Sequence, residues 1–416
     1  MNSQPNPFQL KKHADDVLEI IVEEQIVPDH KAFAVLQAMA QKFHYVIFTL
    51  NENASLHPAL EQLIPEIQLL GSLLFVAPAV DQIPFVLHGV RTFGDIHAAR
   101  ARIRNDRLIE TIVRRIIALP ALSSSTSQLL RMLLNPEITF EQIEEVTNRD
   151  QMLVNRMLKI ANNSQLSSRV QINDLKTVVK FLGIEGIRQI LIQETFNTIA
   201  REFIRQADKL AHMRRCSALS AHFGKLIGVD MALLGKIKAA GLMHDIGAMA
   251  LSFHNSSEYI GVTRRIRAER IGVCEAERDV FGIDHQEIGE RLAKELSLPP
   301  YITLTAGNHH NTDFAGHDLI SMSVMVANGF LNEQIEQIAF TDYERFMPVL
   351  IEERAKNLRL RPQKKTARPI EIVDSEEAPG DGEEQNHDVF SSAMVCALLK
   401  EEFDNIVMAS HDSQGL

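Results

Sequence analysis

Two hydrophobic periodicities divide the chain. Near the start, short apolar runs alternate with helical spacing. Val17 to Val27 is apolar with interspersed acids and fits a helix or a strand. Lys31 to Phe43 repeats apolar residues at three- and four-residue intervals, which predicts a helix. His44 to Leu50 is β-branched and aromatic, is bounded by Asn51-Glu52-Asn53, and predicts a strand. Leu56 to Leu70 returns to helical spacing, and Ser72 to Ala77 and Pro84 to Val90 predict further short strands. Residues 1–96 therefore read as a small α/β domain. A helical stretch from His97 to Leu119 follows as a connector over 97–118, and Pro120 should break it.

From Leu119 onward the pattern is helical throughout. Thr139 with Gln142 has capping-box spacing ahead of Phe140 to Thr147. Asp150 caps a helix through Ile160 that Asn162-Asn163-Ser164 ends. Asp174 opens Leu175 to Leu182, Gly183 stops it, and Glu185 to Thr195 forms the next helix. Residues 119–340 thus read as one all-helical domain. Arg354 to Arg368 is basic and Glu371 to Glu384 is acidic with Pro and Gly, which marks 341–386 as a charged flexible linker. Asp388 to Met408 is amphipathic, so 387–416 is a C-terminal helix and tail that could dock on the body or on a partner chain. The expected fold class is mainly α, with a small α/β domain in front.

Composition narrows the function. The chain has 416 residues, 45% hydrophobic and 23% charged, which is ordinary for a globular protein of two or more domains. The net charge of −11 argues against broad nucleic-acid binding, since phosphate neutralisation needs clustered Lys and Arg. Arg91, Arg100, Arg102, Arg104, Arg107, Arg114 and Arg115 crowd the connector, but Asp106 and Glu110 are spaced to pair with Arg102 and Arg114, as on a solvated face. Three cysteines, Cys216, Cys274 and Cys396, lie far apart and suggest no disulfide framework. A cytoplasmic location is expected, with no signal peptide and no membrane span.

Candidate chemistry centres on Ala240-Gly241-Leu242-Met243-His244-Asp245-Ile246-Gly247. Adjacent helical side chains diverge by about 100°, so His244 and Asp245 can reach one point only where a helix ends or packs tightly. An imidazole nitrogen with a carboxylate oxygen suits Zn, Mn or Fe. His285, after the cap residue Asp284, and His309-His310 are further candidate ligands. Arg264, Arg265 and Arg267 could clamp a phosphate or nucleotide, although Glu269 and Glu275 nearby also suit a solvated helix.

These motifs, taken in order, resemble an HDOD domain. Leu119-Pro120-Ala121-Leu122, Asn148-Arg149-Asp150, Met157 to Ser164, and Ile172-Asn173-Asp174-Leu175 with Phe181-Leu182-Gly183 are similar to its first half. Gln151 stands where the family usually has proline. Gly241 to Gly247, Asp284-His285-Gln286-Glu287-Ile288-Gly289, Leu298-Pro299 and His309-His310 are similar to its second half. The resemblance implies kinship with the all-helical HD metal phosphohydrolases, in which a first His, the His-Asp pair and a late Asp hold a metal that activates water. By that resemblance Cys216 occupies the first-His position, with His212 and His222 elsewhere on the same helix, and Asn328 occupies the late-Asp position. Asn311 stands where the cyclic dinucleotide phosphodiesterases of the superfamily carry Glu.

Two readings stay open. In the first, the chain is a non-catalytic bacterial signal-transduction regulator whose degenerate domain binds a partner protein or small ligand. It then has no catalytic residue and no cofactor beyond a weakly held divalent metal. In the second, it is a metal-dependent phosphohydrolase acting on a nucleotide or cyclic dinucleotide. The replacements at Cys216 and Asn328 favour the first. Fold kinship alone does not decide chemistry.

Overall fold

The computed structural model describes residues 8–13, 16–22, 38, 42–50, 72–76, 91–119, 124–135, 137–163, 172–203, 206–313, 318–336, 346–360 and 392–412. They fall into two compact units, Met1–Glu110 and Thr111–Leu416. The helices expected over Lys31–Phe43 and Leu56–Leu70, the strand over Pro84–Val90 and residues 361–386 of the expected linker lie outside the described residues but for a few positions. The linker's described part is corrected to a helix, Met347–Leu360, because Leu350 is buried and Arg354 and Asn357 bond the Leu226 and Ile227 oxygens.

The first unit holds a five-stranded sheet of β1 (Phe8–His13), β2 (Val17–Val22), β3 (Tyr45–Leu50), β4 (Ser72–Val76) and β5 (Arg91–Phe93), in that spatial order. β1 pairs antiparallel with β2, and the remaining pairs are parallel. The ambiguous Val17 segment is therefore a strand. Alternation sends Val17, Tyr45 and Ile47 to one face, where Ala99 and Ile103 of helix α1 (Ile96–Ile117) cover them. The connector helix thus belongs in part to the α/β unit, and the division between the units falls within it. Its arginines are largely engaged: Asp106 binds Arg91 and Arg102 at 3.2 and 2.7 Å, and Arg107 stacks over Tyr45. Glu19 is buried on the same face, where it accepts from Thr49 Oγ1 (2.9 Å) and meets His13 Nε2 (2.6 Å).

The second unit is helical throughout its described residues. It comprises α2 (Ser124–Met132), α3 (Phe140–Thr147), α4 (Gln151–Asn163), α5 (Leu175–Glu202), α6 (Ala207–Leu226), α7 (Met231–Met243), α8 (Ile246–His254), α9 (Ser256–Glu269), α10 (Val273–Phe281), α11 (His285–Glu295), α12 (Pro300–Asn308), α13 (Leu319–Glu336), α14 (Met347–Leu360) and α15 (Ser392–Asp412). The fold class is thus an all-helical domain preceded by a small α/β domain. The capping box at Thr139 and Gln142 is present, and Asp174 caps α5 through Thr177 N. Gly183 does interrupt the helix, with φ at 64°, yet the chain resumes at once, so the two expected helices are one kinked element.

Two close approaches set the core. A Cβ on Gly241 would lie 3.0 Å from the Ser217 Cα, so α7 packs tightly against α6. A Cβ on Gly247 would lie 1.9 Å from the His285 carbonyl oxygen and 2.6 Å from Gly289 N. Backbone therefore meets backbone where α8 crosses α11, and only glycine fits.

Candidate metal centre

The His-Asp pair sits at the break between α7 and α8. His244 ends the first helix and Asp245 precedes the second, so both side chains turn to one point. The Gly247 crossing brings His285, the first residue of α11, against them. Asp284 fixes that helix start by accepting from Gln286 N (3.0 Å) and Glu287 N (3.1 Å). α12 begins at Pro300 and ends with His309 at its C-cap. Two overlapping donor groups result. Asp245, His285, His309 and His310 form one, and His212, His244 and Asp245 the other, with donor atoms within 4.8 Å of one another in each.

The proton positions follow from the partners. His244 Nδ1 lies 2.9 Å from the Gly241 oxygen and His309 Nδ1 3.1 Å from the Thr305 oxygen. His285 Nδ1 lies 2.6 Å from Glu277 Oε2. These oxygens only accept, so each Nδ1 carries a proton and donates it. In the neutral rings every Nε2 is then a bare lone pair. His285 Nε2 and His309 Nε2 face each other at 3.2 Å, and Asp245 Oδ1 lies 3.4 and 3.2 Å from them. His244 Nε2 is buried 3.7 Å from Asp245 Oδ2, and the Cys216 side chain also acts on this ring. Lone pairs and a carboxylate converging in this way repel unless a proton or a cation lies between them. Backbone- and carboxylate-anchored Nδ1 protons with converging Nε2 atoms are the outer-sphere arrangement of metal-binding histidines. The residues present therefore fit a divalent ion held by Asp245 with His285, His309 and His310, or by Asp245 with His212 and His244.

Without an ion, protons take its place. Burial opposes charge on His285, but the Glu277 carboxylate outweighs it and raises the imidazole. Burial would likewise raise Asp245, yet His244, His309 and His285 hold its carboxyl well below the usual range. Burial lowers His212 and His309 to about 4, and lowers His310 well below its ordinary value. The unfolded chain therefore takes up protons on His212 and His309 before the native state does. Their contribution to stability is complete above about pH 6.5 and is lost as pH falls toward about 4. Burial opposes charge on His244 too, but Cys216 and Asp245 raise it to about 10, so His244 and His285 work in the opposite sense, contributing most below pH 6.5. Urea midpoints of the metal-free chain at pH 6.5, 5.5 and 4.5 should fall in that order, and the fall should be shallower in His309→Ala.

The expected first-ligand position needs correcting. His212, not Cys216, belongs to a donor group, with Nε2 3.7 Å from Asp245 Oδ2 and 2.9 Å from Asn328 Oδ1, while Cys216 touches the cluster only through the His244 ring. Cys216 is one turn further along α6 and fully buried, with Sγ 3.8 Å from Ser220 Oγ and 4.0 Å from the Val324 oxygen, and it joins neither donor group. The arginine tract is not gathered at the cluster either. Arg265 binds Glu269 and Asp279, both at 3.0 Å, while Arg264 and Arg267 are exposed on α9. Cys274 is packing, its thiol pushed up by burial. Sequence reasoning missed Glu277, which is fully buried and accepts from His285 N (2.8 Å), His285 Nδ1 and Tyr259 Oη (2.8 Å). It also missed Gln286, whose Oε1 holds His310 N at 2.8 Å. The clue to Glu277 was an acid on the inward face of α10, beside Cys274.

Fold and donor set together define an all-helical domain with a buried histidine–aspartate cluster. More narrowly, residues 119–312 match the HDOD domain family, and the chain carries an HDOD domain there. A curated but uncharacterised protein of Treponema pallidum (strain Nichols) is 26% identical over 211 residues. Those residues are 50% of this chain and 41% of that one, so the match spans less than half of the relative's length. Among solved structures, an HDOD domain protein of unknown function from Geobacter sulfurreducens is 20% identical, with a TM-score of 0.39, over 59% of this chain and 96% of that one. A protein provisionally named a phosphohydrolase from Shewanella amazonensis SB2B is 17% identical, with a TM-score of 0.45, over 59% and 93%. Another, provisionally named for signal transduction, from Marinobacter aquaeolei VT8, is 15% identical, with a TM-score of 0.42, over 84% and 89%. No helix among the described residues is long and apolar enough to cross a membrane.

Proposed function

We propose that this chain is a bacterial cytoplasmic signal-transduction protein whose HDOD domain acts by binding a partner protein, not by turning over a substrate. Asn328 carries the reading. It is buried beside the donor cluster, at the position where the resemblance calls for a second carboxylate, and its amide oxygen is already bonded to His212. Asp245 is then the one carboxylate in either donor group among the described residues. Hydrolytic centres that clamp both the attacking and the leaving oxygen use two cations ~3.5–4 Å apart. Two such charges repel strongly, and a single carboxylate does not offset them. The cluster suits one ion, which would polarise a phosphoryl or carboxylate oxygen of a small ligand. In the regulator that ion would chiefly tie the ends of α7, α11 and α12 together.

The converging Nε2 atoms favour a second reading, a single-metal phosphohydrolase acting on a nucleotide or cyclic dinucleotide. One experiment separates the two. The full chain, purified without chelator and loaded with Mn, Fe or Zn, should bind about one ion, and His244→Ala should lose it. The loaded chain should release nothing from bis(p-nitrophenyl) phosphate or from cyclic dinucleotides. Turnover that vanishes in a folded Asp245→Ala variant would overturn the regulatory reading.

A further inference from the structure

The C-terminal helix α15 is docked on the two helices that carry the His212–Asn328 pair. It lies against α6 and α13. Val395 and Leu399 are its two fully buried side chains, both at 0% exposure. Phe403 and Ile406 continue the same stripe half-buried, at the four-residue and three- to four-residue spacing of one helix face. Phe403 meets Phe330 of α13 edge to face at 6.4 Å between ring centres, and Glu402 Oε2 lies 3.5 Å from His222 Nδ1 of α6. Met394 and Met408 at the two ends stay exposed. This is a shallow seat. A helix integral to the core would bury a continuous stripe, as α7 does with Leu234, Ile237, Ala240, Gly241 and Leu242.

The covalent connection permits departure. α14 ends at Leu360 and α15 begins at Ser392, leaving 31 residues between them. A chain of that length can span at most roughly 100 Å.

We propose that the face formed by α6 and α13 is a binding site for an amphipathic protein helix, and that α15 is its exchangeable occupant in cis. The helix that fits has apolar residues at i, i+4, i+8 and i+11, matching Val395, Leu399, Phe403 and Ile406. It also carries an acid at i+7, matching Glu402, to meet His222. Both supporting helices also run to the donor cluster. His222 and His212 stand ten residues apart on α6, about 15 Å along the axis. Phe330 and Asn328 are two residues apart on α13. A partner that offers such a helix in trans would therefore release α15 and act on the same two supports.

The test uses the full chain with a protease site introduced between residues 361 and 391. After cleavage, a fluorescent peptide of residues 392–412 should exchange with the resident helix and bind with a micromolar Kd. Leu399→Asp in the peptide should weaken binding at least tenfold. The uncut chain should bind the peptide far more weakly, because its tethered helix competes at an effective concentration on the order of millimolar. Hydrogen exchange on uncut Leu399→Asp should rise in α15 and in the facing parts of α6 and α13, with α8 and α11 unchanged. Three outcomes would overturn the proposal: a cleaved chain that retains α15 without exchange, one that unfolds on cleavage, or equal binding of a scrambled peptide.

Discussion

Gly247→Ala should be the most damaging single-methyl change in the helical domain. The added carbon would sit 1.9 Å from the His285 oxygen and 2.6 Å from Gly289 N, both backbone atoms that cannot rotate away. α8 must move off α11 by more than an ångström, which also pulls Asp245 from His285 and His309. Overpacking normally costs ~1–3 kcal/mol, and contact with two backbone segments places this variant at or above the upper end. For a unit of this size the loss lowers the thermal midpoint by roughly 10 °C. Gly261→Ala is the matched control. It lies inside α9 with no heavy atom within 4 Å of the new carbon, so removing its excess chain freedom should stabilise by ~0.5–1 kcal/mol. Thermal unfolding followed by circular dichroism should show the two variants moving in opposite directions. Equal midpoints would mean that the helix crossing is looser than its geometry requires.

The sequence announces Gly247 only indirectly, and the reason shows how far local reading reaches. Caps are short-range, so Thr139 with Gln142, Asp174 and Asp284 could be read from spacing and are found as read. The His-Asp junction could also be anticipated, because neighbouring helical side chains converge only at a break. The first histidine could not be chosen. His212 and Cys216 are four residues apart and share a helix face, so periodicity cannot decide between them. The choice depends on where α6 lies along α7, and the tight contact at Gly241 sets that register. In the α/β unit, β3 and β4 were legible from their β-branched and apolar runs. β1 (FQLKKH) was not, because four of its six residues are polar and an edge strand needs little apolar surface. Partners brought together by tertiary contact, such as Glu277 with Tyr259 and His285, leave almost no local trace.

Glu277→Ala should show what that untraced residue does. Its carboxylate is fully buried and accepts from three donors: the His285 backbone N–H, the His285 ring and the Tyr259 hydroxyl. Alanine leaves all three without an acceptor where water does not reach. Removing one partner of a buried charged set costs ~3–5 kcal/mol, so the variant should lose most of the domain's margin of stability. Glu277→Gln keeps the volume and one acceptor oxygen but turns an amide donor toward the His285 N–H or the Tyr259 hydroxyl. Its loss should be smaller, ~1–3 kcal/mol. The two variants should share a second effect. The carboxylate both raises His285 and pins its Nδ1 proton, so without it the ring titrates lower and its Nε2 lone pair is no longer fixed toward Asp245. Affinity for Mn or Zn should fall by about 10–100-fold, as on losing an outer-sphere anchor. Glu269→Ala, which removes an exposed partner of Arg265, should leave both stability and metal affinity essentially unchanged. Urea unfolding gives the stabilities, isothermal titration the affinities, and the His285 ring resonances the proton position. If Glu277→Gln keeps full metal affinity while His285 still titrates high, then Asp245 and not Glu277 orients that ring.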